Sequence, residues 1–269
     1  ADDRAIQFGD GAYEWIRIHH GHSFGLSYHT DRLYRSMRLL GIRPVTAPDE
    51  FTEIVEVVVE ESEIEEGYVK IIVTRGSDDH NFTIPVRSAL QPNVLVYGKP
   101  IDLNAIEKVQ SGVNCITLDD DRGHHCDILS LNQLNNMMAR AEAQKKNCYD
   151  AVFIKDGLLT EASHSNVCIV KAGVIWTPAT NEHMIRGVTR SLVLTRAAPS
   201  AGVTSIDEAS EPVRFEDMMT AEEVFLTNSQ DGIIPVLSID GNPIGGGKVG
   251  DVTKKIQEHY AHLMEDGLP

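Results

Sequence analysis

The chain has 269 residues and a formal net charge of −16, from 24 basic and 40 acidic side chains. That length suits one large domain or two modest ones with a sizeable core. The negative balance argues against nucleic acid or an anionic membrane as a general partner, since either needs a basic face. No apolar run reaches the roughly 18 residues of a membrane span, and no signal-peptide pattern opens the chain. Cys115, Cys126, Cys148 and Cys168 lack CxxC spacing, so reduced thiols in a cytoplasmic protein are expected rather than a zinc ribbon or a dithiol pair.

Ala12 to His19 alternates polar and apolar side chains and predicts a half-buried strand, turning at His20-Gly21 into a second strand over Ser23 to Leu26. Thr30 to Leu40 reads as an amphipathic helix with Leu33, Met37 and Leu40 on one face, ended by Gly41. Thr46-Ala-Pro-Asp49 has the look of a capping box opening a helix that runs to about Ser62. Strands follow at Tyr68 to Thr74 and Asn93 to Tyr97, then a connector over residues 98–104 and a strand over Gly112 to Leu118. Leu131, Leu134, Met138 and Ala141 recur at helical spacing, which predicts a helix over 131–147 with its apolar face inward. Hairpins are expected to turn at Asp156-Gly157 and Ala172-Gly173. A helix opens at Gly187, a strand covers Glu222 to Thr227, another hairpin turns at Asp240-Gly241, and Val252, Ile256, Tyr260 and Met264 mark a closing helix. The domain boundary falls at the connector, between residues 1–98 and 105–269.

Several residues carry chemistry. Gly187-Val188-Thr189-Arg190 puts a glycine and a hydroxyl at a helix start, where unpaired backbone N–H groups suit a phosphate. Glu161 ends a strand among Ser163, Ser165 and Asn166 and could pair with a ring nitrogen. Arg32 on the first long helix is a second candidate phosphate ligand. His19, His20 and His22, like His124-His125, read as turn residues, with no carboxylate or cysteine at ligand spacing to make a metal site. Tyr13 taken singly reads as a packed strand aromatic.

In their joint order these segments resemble the class-IV aminotransferases, enzymes of the fold-type IV pyridoxal-phosphate class. The resemblance runs through Gln7-Phe-Gly-Asp-Gly-Ala-Tyr-Glu14, His29-Thr-Asp-Arg-Leu33, Tyr68 to Gly76, Cys126-Asp-Ile-Leu-Ser-Leu-Asn132, Thr160 to Val167, Gly187 to Arg190 and Phe225-Leu-Thr-Asn-Ser229. It implies a two-domain α/β fold with pyridoxal 5'-phosphate held in the cleft between the domains, and a homodimer. It implies that Arg32, Ser229, Thr189 and the neighbouring amides, Val188 included, hold the phosphate, and that Glu161 pairs with the pyridine nitrogen. Tyr13 and Arg122 are expected near the reacting carbon, with Ser163 and His164 close by. The substrates implied are small amino acids, of D configuration, and 2-oxo acids. A protonated ring is the better electron sink, which a carboxylate at Glu161 favours.

Three departures stand out. Where the related enzymes have the lysine that binds the cofactor covalently and then moves the proton, this chain has Leu129, which can do neither. The next lysines, Lys145 and Lys146, follow more than about four helical turns on. An engineered replacement, a natural pseudoenzyme or a modified lysine written as leucine would each account for it. The Arg-x-His carboxylate trap of D-amino-acid aminotransferases is absent from the loop Gly76-Ser-Asp-Asp-His-Asn-Phe82, leaving His80 as a substrate-binding candidate beside two repelling aspartates. Thr227-Asn-Ser229 is closer to the aminodeoxychorismate lyases, the alternative activity. The strands that usually precede the Gln-Phe-Gly-Asp-Gly segment are expected to lie outside this sequence.

Overall fold

The computed structural model describes residues 2–77, 82–84, 90–206 and 212–268; His80 lies outside them. The chain forms two compact units, one of residues 1–101, 128–133 and 267–269, the other of residues 102–127 and 134–266. Among the described residues no helix is long and apolar enough to cross a membrane.

The first unit runs α1 (Arg4–Phe8), β1 (Gly11–His19), β2 (His22–Ser23), α2 (Leu26–Leu40), α3 (Pro48–Glu61), β3 (Gly67–Thr74) and β4 (Asn93–Pro100). Its antiparallel sheet has the order β2-β1-β3-β4. Alternation decides the two faces of the sheet. Ala12, Ile16, Val69, Ile71 and Val73 are fully buried in a core they share with Leu33 and Met37 of α2 and Phe51 and Val55 of α3. The intervening residues, Tyr13, Trp15, Tyr68, Lys70 and Ile72, form the other, half-buried face.

Two local expectations fail here for identifiable reasons. The second strand stops at Ser23, because Gly25 takes a left-handed φ of 65° and starts α2 a turn earlier than the sequence periodicity suggests. The capping box at Thr46 does not form: the N-cap of α3 is Ala47, without a side-chain cap. The Thr46 hydroxyl is buried and unpartnered among the described residues, while its carbonyl accepts the Tyr34 hydroxyl.

Since β2 covers only the Ile18–His19 end of β1, the other end is open, and residues 129–131 fill it. Ala12 pairs with Ser130, the Tyr13 amide donates to the Leu129 carbonyl at 3.0 Å, and the Leu131 amide donates to the Gly11 carbonyl at 3.0 Å. Position 11 must be glycine for this approach, because a Cβ there would lie 2.6 Å from the Val73 carbonyl oxygen and 2.8 Å from a Leu131 methyl.

The second unit runs α4 (Leu103–Gln110), β5 (Val113–Asp119), α5 (Leu134–Lys145), β6 (Asp150–Lys155), β7 (Leu158–Ala162), β8 (Asn166–Lys171), β9 (Val174–Trp176), α6 (Val188–Leu192), a π-helical turn (Val193–Ala197), α7 (Ala198–Ser200), β10 (Ser205–Ile206), α8 (Phe215–Met219), β11 (Glu223–Asn228), β12 (Gly232–Ile239), β13 (Asn242–Pro243) and α9 (Asp251–Asp266). The strands form one sheet in the order β10-β9-β8-β11-β12-β5-β6-β7, with β13 on β12. The contacts β12 to β5 and β5 to β6 are parallel. Val152, Val167, Leu226 and Ile234 lie at the centre of its core.

Helix α4 starts at the end of the expected connector and fills residues to which the sequence assigned no element; the Asp102 side chain caps it by accepting from the Asn104 amide. Helix α5 begins only at Leu134, since Ser130 and Leu131 are committed to β1. Its predicted apolar face points the wrong way: Leu134 and Met138 are 66% and 56% exposed, as is the neighbouring Met137 at 65%. The residues packed inward are Ala139 and Ala143, against Ile116, Ala151 and Phe153, because small side chains let the helix come close to the sheet.

The assignment of faces in the first unit is open to test. Ile71→Ala is expected to cost about 2–5 kcal/mol of stability, and Ile72→Ala, one position along on the half-buried face, less than half as much. Denaturant titration of both variants measures this; equal losses would contradict the assignment.

Candidate active site

In the second unit the site is built around Glu161, near the end of β7. Its carboxylate is 4% exposed, so the solvated strand end that its sequence context favours does not exist. Oε1 accepts from Arg122 Nη1 at 2.6 Å; Oε2 accepts from the Ile185 amide at 3.0 Å and from Asn166 Nδ2 at 3.4 Å. Arg122 also makes a fork onto Asp120, with Nε to Oδ1 at 2.9 Å and Nη2 to Oδ2 at 2.8 Å. It donates further to the His183 carbonyl and lies 4.1 Å from the centre of the Phe153 ring.

One guanidinium thus serves two buried carboxylates. Burial alone would raise Asp120, but the fork from Arg122 and the Thr160 hydroxyl outweigh it and hold Asp120 below the usual carboxylate range. Glu161 receives the weaker share. Burial, opposed by Arg122 and assisted by the negative charge of Asp120, pushes it up to about 7. The result is a buried carboxyl that gains or loses a proton near neutrality.

Glu161 is tied in turn to the helix start. Asn166 donates to the Ile185 carbonyl at 2.8 Å, and its Oδ1 would lie 2.1 Å from a Cβ at Gly187, so only glycine lets α6 begin there. This N-terminus has no side-chain cap, which leaves its first amides suited to an anion. Val188 and Thr189 are buried, and the Thr189 hydroxyl lies 3.3 Å from the Tyr260 hydroxyl of α9. Ser229 is half-buried just beyond β11. Ser163 is turned away: its hydroxyl donates to the fully buried Asp150. His164 is at the exposed turn between β7 and β8.

In the first unit the corresponding centre is Glu14, which is fully buried. Arg32 donates to it through Nε at 2.8 Å and Nη2 at 2.7 Å, and His29 Nδ1 lies 2.7 Å from Oε2. Burial would raise Glu14, but Arg32 and His29 outweigh it and keep it anionic; burial pushes His29 down, towards its neutral form. Arg32 is therefore a clamped cation, not the surface charge its position on a helix suggests. Tyr13 and Leu129 are brought together by the bridge at Ala12 and Ser130, which sets them directly across from each other.

Glu14, His29, Asp120 and Asp150 are absent from the sequence-derived candidates. The signal for Glu14 was present, since it falls in phase with Ala12, Ile16 and Ile18 on the buried face of β1. His29 stands one turn before Arg32 on α2. Asp120 hides in an acidic run, and nothing in the sequence marks Asp150.

The donor set fits a phosphorylated pyridine. A buried carboxyl poised near neutrality can share a proton with a ring nitrogen, an uncapped helix start can take a phosphate, and the Thr227 hydroxyl is buried without a partner among the described residues. The defining sequence pattern of the family described as amino-transferase class IV matches residues 11–239. The D-alanine aminotransferase of Bacillus licheniformis is 38% identical over 256 residues, 95% of this chain and 88% of that protein. The branched-chain amino acid aminotransferase of Escherichia coli superimposes with a TM-score of 0.87 at 22% identity, over 98% of this chain and 88% of that one. A putative 4-amino-4-deoxychorismate lyase of Legionella pneumophila does so with a TM-score of 0.85 at 22% identity, over 97% and 93%. The chain belongs to the class-IV aminotransferase family, and its fold is that of the fold-type IV enzymes.

Titration of Glu161 provides a test. Its folded pKa of about 7 lies above the ordinary value of 4.5, so the folded state binds the extra proton. The stability this contributes is complete below about pH 4.5 and is lost as pH rises through 7. The stability of the wild type relative to Glu161→Gln is therefore expected to fall between pH 5 and pH 8 in thermal unfolding; a constant difference would contradict the assignment.

Proposed function

We propose that this chain binds pyridoxal 5'-phosphate and has the architecture of an aminotransferase for small D-amino acids and 2-oxo acids, with one chemical gap at Leu129. The observation that carries this reading is Glu161, a buried carboxyl titrating near neutrality and joined through Asn166 and Gly187 to an uncapped helix start. When bound, the cofactor would supply the electron sink for negative charge developing at the substrate's α-carbon. Glu161 holds a proton at the ring nitrogen. Arg122 keeps that carboxyl in place, and Thr189, the amides from Val188 onward and Ser229 bind phosphate. In the first unit Glu14 and His29 hold Arg32 as a clamped cation, and Tyr13 stands across from Leu129.

Leu129 offers no amine and no base, which removes a contribution of about 10²–10⁴-fold to proton transfer. A chain that binds the cofactor and turns over slowly or not at all follows from this reading. The preference for D-alanine-like substrates rests on the similarity to D-alanine aminotransferases. A homodimer is supported by the exposed Leu134, Met137 and Met138 on α5, an apolar stripe that a second copy would cover. The cysteines are all free thiols, in keeping with the reducing cytoplasm.

The experiment is a half-reaction with D-alanine in the wild type and in Leu129→Lys. The expected result is cofactor retention by both and a rate at least about 10²-fold higher in Leu129→Lys. Failure of either chain to retain the cofactor would overturn the reading. Release of pyruvate from aminodeoxychorismate by Leu129→Lys, without transamination of D-alanine, would establish the lyase instead.

A further inference from the structure

The second unit carries a group of metal-ligating side chains beside the Glu161 site. His124, Glu182 and His183 each offer one ligand atom, and the three atoms all lie within 4.8 Å of one another. Spacing along the chain hides the group, because its carboxylate comes from a distant turn. Hydrogen bonds hold that turn in place. The Asn181 side chain accepts from the His183 amide at 2.8 Å, the Glu182 carbonyl accepts from the Cys126 amide at 2.9 Å, and the His183 carbonyl accepts from Arg122 Nη2 at 3.0 Å. The segment 122–126, with His124, is thus fastened to the segment 181–185, with Glu182 and His183.

The His183 ring is the informative one. Its Nδ1 lies 3.3 Å from the Gly123 carbonyl oxygen; a carbonyl can only accept, so Nδ1 carries the hydrogen. In the neutral ring this leaves the lone pair on Nε2, the nitrogen that faces Glu182 Oε1 at 3.8 Å. Metal-binding histidines are oriented in this way, one ring N–H anchored on a carbonyl and the other nitrogen turned to the ion. The centre of the His124 ring is 5.6 Å from that of His183. With bonds of about 2.1 Å, two ligands of a tetrahedral zinc ion stand about 3.4 Å apart, so a small movement of the exposed Glu182 and His124 side chains closes the set. A second group, His19, His20 and Glu66, has comparable spacing. There Arg17 donates to Glu66 Oε2 and the His20 amide to Oε1, and a guanidinium on the carboxylate repels a further cation.

We propose that His124, Glu182 and His183 bind one divalent cation of the zinc class, and that the ion clasps segments 122–126 and 181–185 together. Two imidazoles and a carboxylate suit zinc, nickel or copper rather than calcium or magnesium. The inference goes beyond the pyridoxal-phosphate reading and does not depend on it. The clasped segments carry Arg122 and the Ile185 amide, both of which donate to Glu161, so the ion holds two of that carboxyl's donors in place.

The test titrates the full chain with zinc chloride by calorimetry, in buffer without phosphate or chelator, and follows amide hydrogen exchange over residues 182–185. The wild type is expected to bind zinc and to exchange more slowly there once it is bound. His124→Ala and Glu182→Ala, both at exposed positions, are expected to weaken that binding at least about tenfold and to abolish the slowing, whereas His20→Ala changes neither. Absence of zinc binding by the wild type would overturn the inference, as would equal affinity in the wild type, His124→Ala and Glu182→Ala. Binding lost in His20→Ala and kept in His124→Ala would place the ion at the turn after β1 and overturn it too. Zinc binding that leaves exchange over 182–185 unchanged would overturn the clasp.

Discussion

A carboxylate removed from water has to be matched by a cation and hydrogen bonds, or else take up a proton. Glu161 does something of each, and the second unit is arranged around that compromise. Arg122 gives its fork to Asp120 and a single N–H to Glu161, the Ile185 amide and Asn166 complete the shell, and Asn166 in turn requires glycine at the start of α6. The geometry that keeps Glu161 near neutrality thus also fixes where the helix amides begin. A buried carboxyl near neutrality and an uncapped helix start come out of one packing problem.

The first unit solves the same problem with a different balance. Glu14 is as deeply buried, yet receives two bonds from Arg32 and one contact from His29, and so remains an anion. This clamps Arg32 and holds the N-terminal turns of α2 against β1. The opposite face of the same sheet carries the aromatic and amine groups, because strand alternation separates the two. Buried ion pair on one side, Tyr13 and Lys70 on the other, is what a period of two dictates once Ala12, Glu14 and Ile16 face the core.

Much of this was legible from residue order. The alternation in Ala12 to His19 and in Tyr68 to Thr74, and the turns at Asp156-Gly157 and Ala172-Gly173, correspond to β1, β3 and the two hairpins. What local pattern could not convey was pairing at a distance. Leu131 has helical spacing with Leu134, yet the open end of β1 holds Ser130 in an isolated bridge and takes the Leu131 amide, and α5 starts only at Leu134. The stripe of Leu134 and Met138 has the period of a core helix, yet two alanines meet the sheet and the large side chains stay outside. Glu161 has a polar context that suggests solvent until Arg122, from well back in the chain, is folded over it.

Leu129 stands across from Tyr13 and offers no amine. The central claim, that Glu161 exists to govern a ring nitrogen, is tested most directly by magnetic resonance of the protein loaded with cofactor isotope-labelled at that nitrogen. The nitrogen is predicted to be protonated at neutral pH in the wild type and unprotonated in Glu161→Gln. The same ring-nitrogen signal in both proteins would contradict the account.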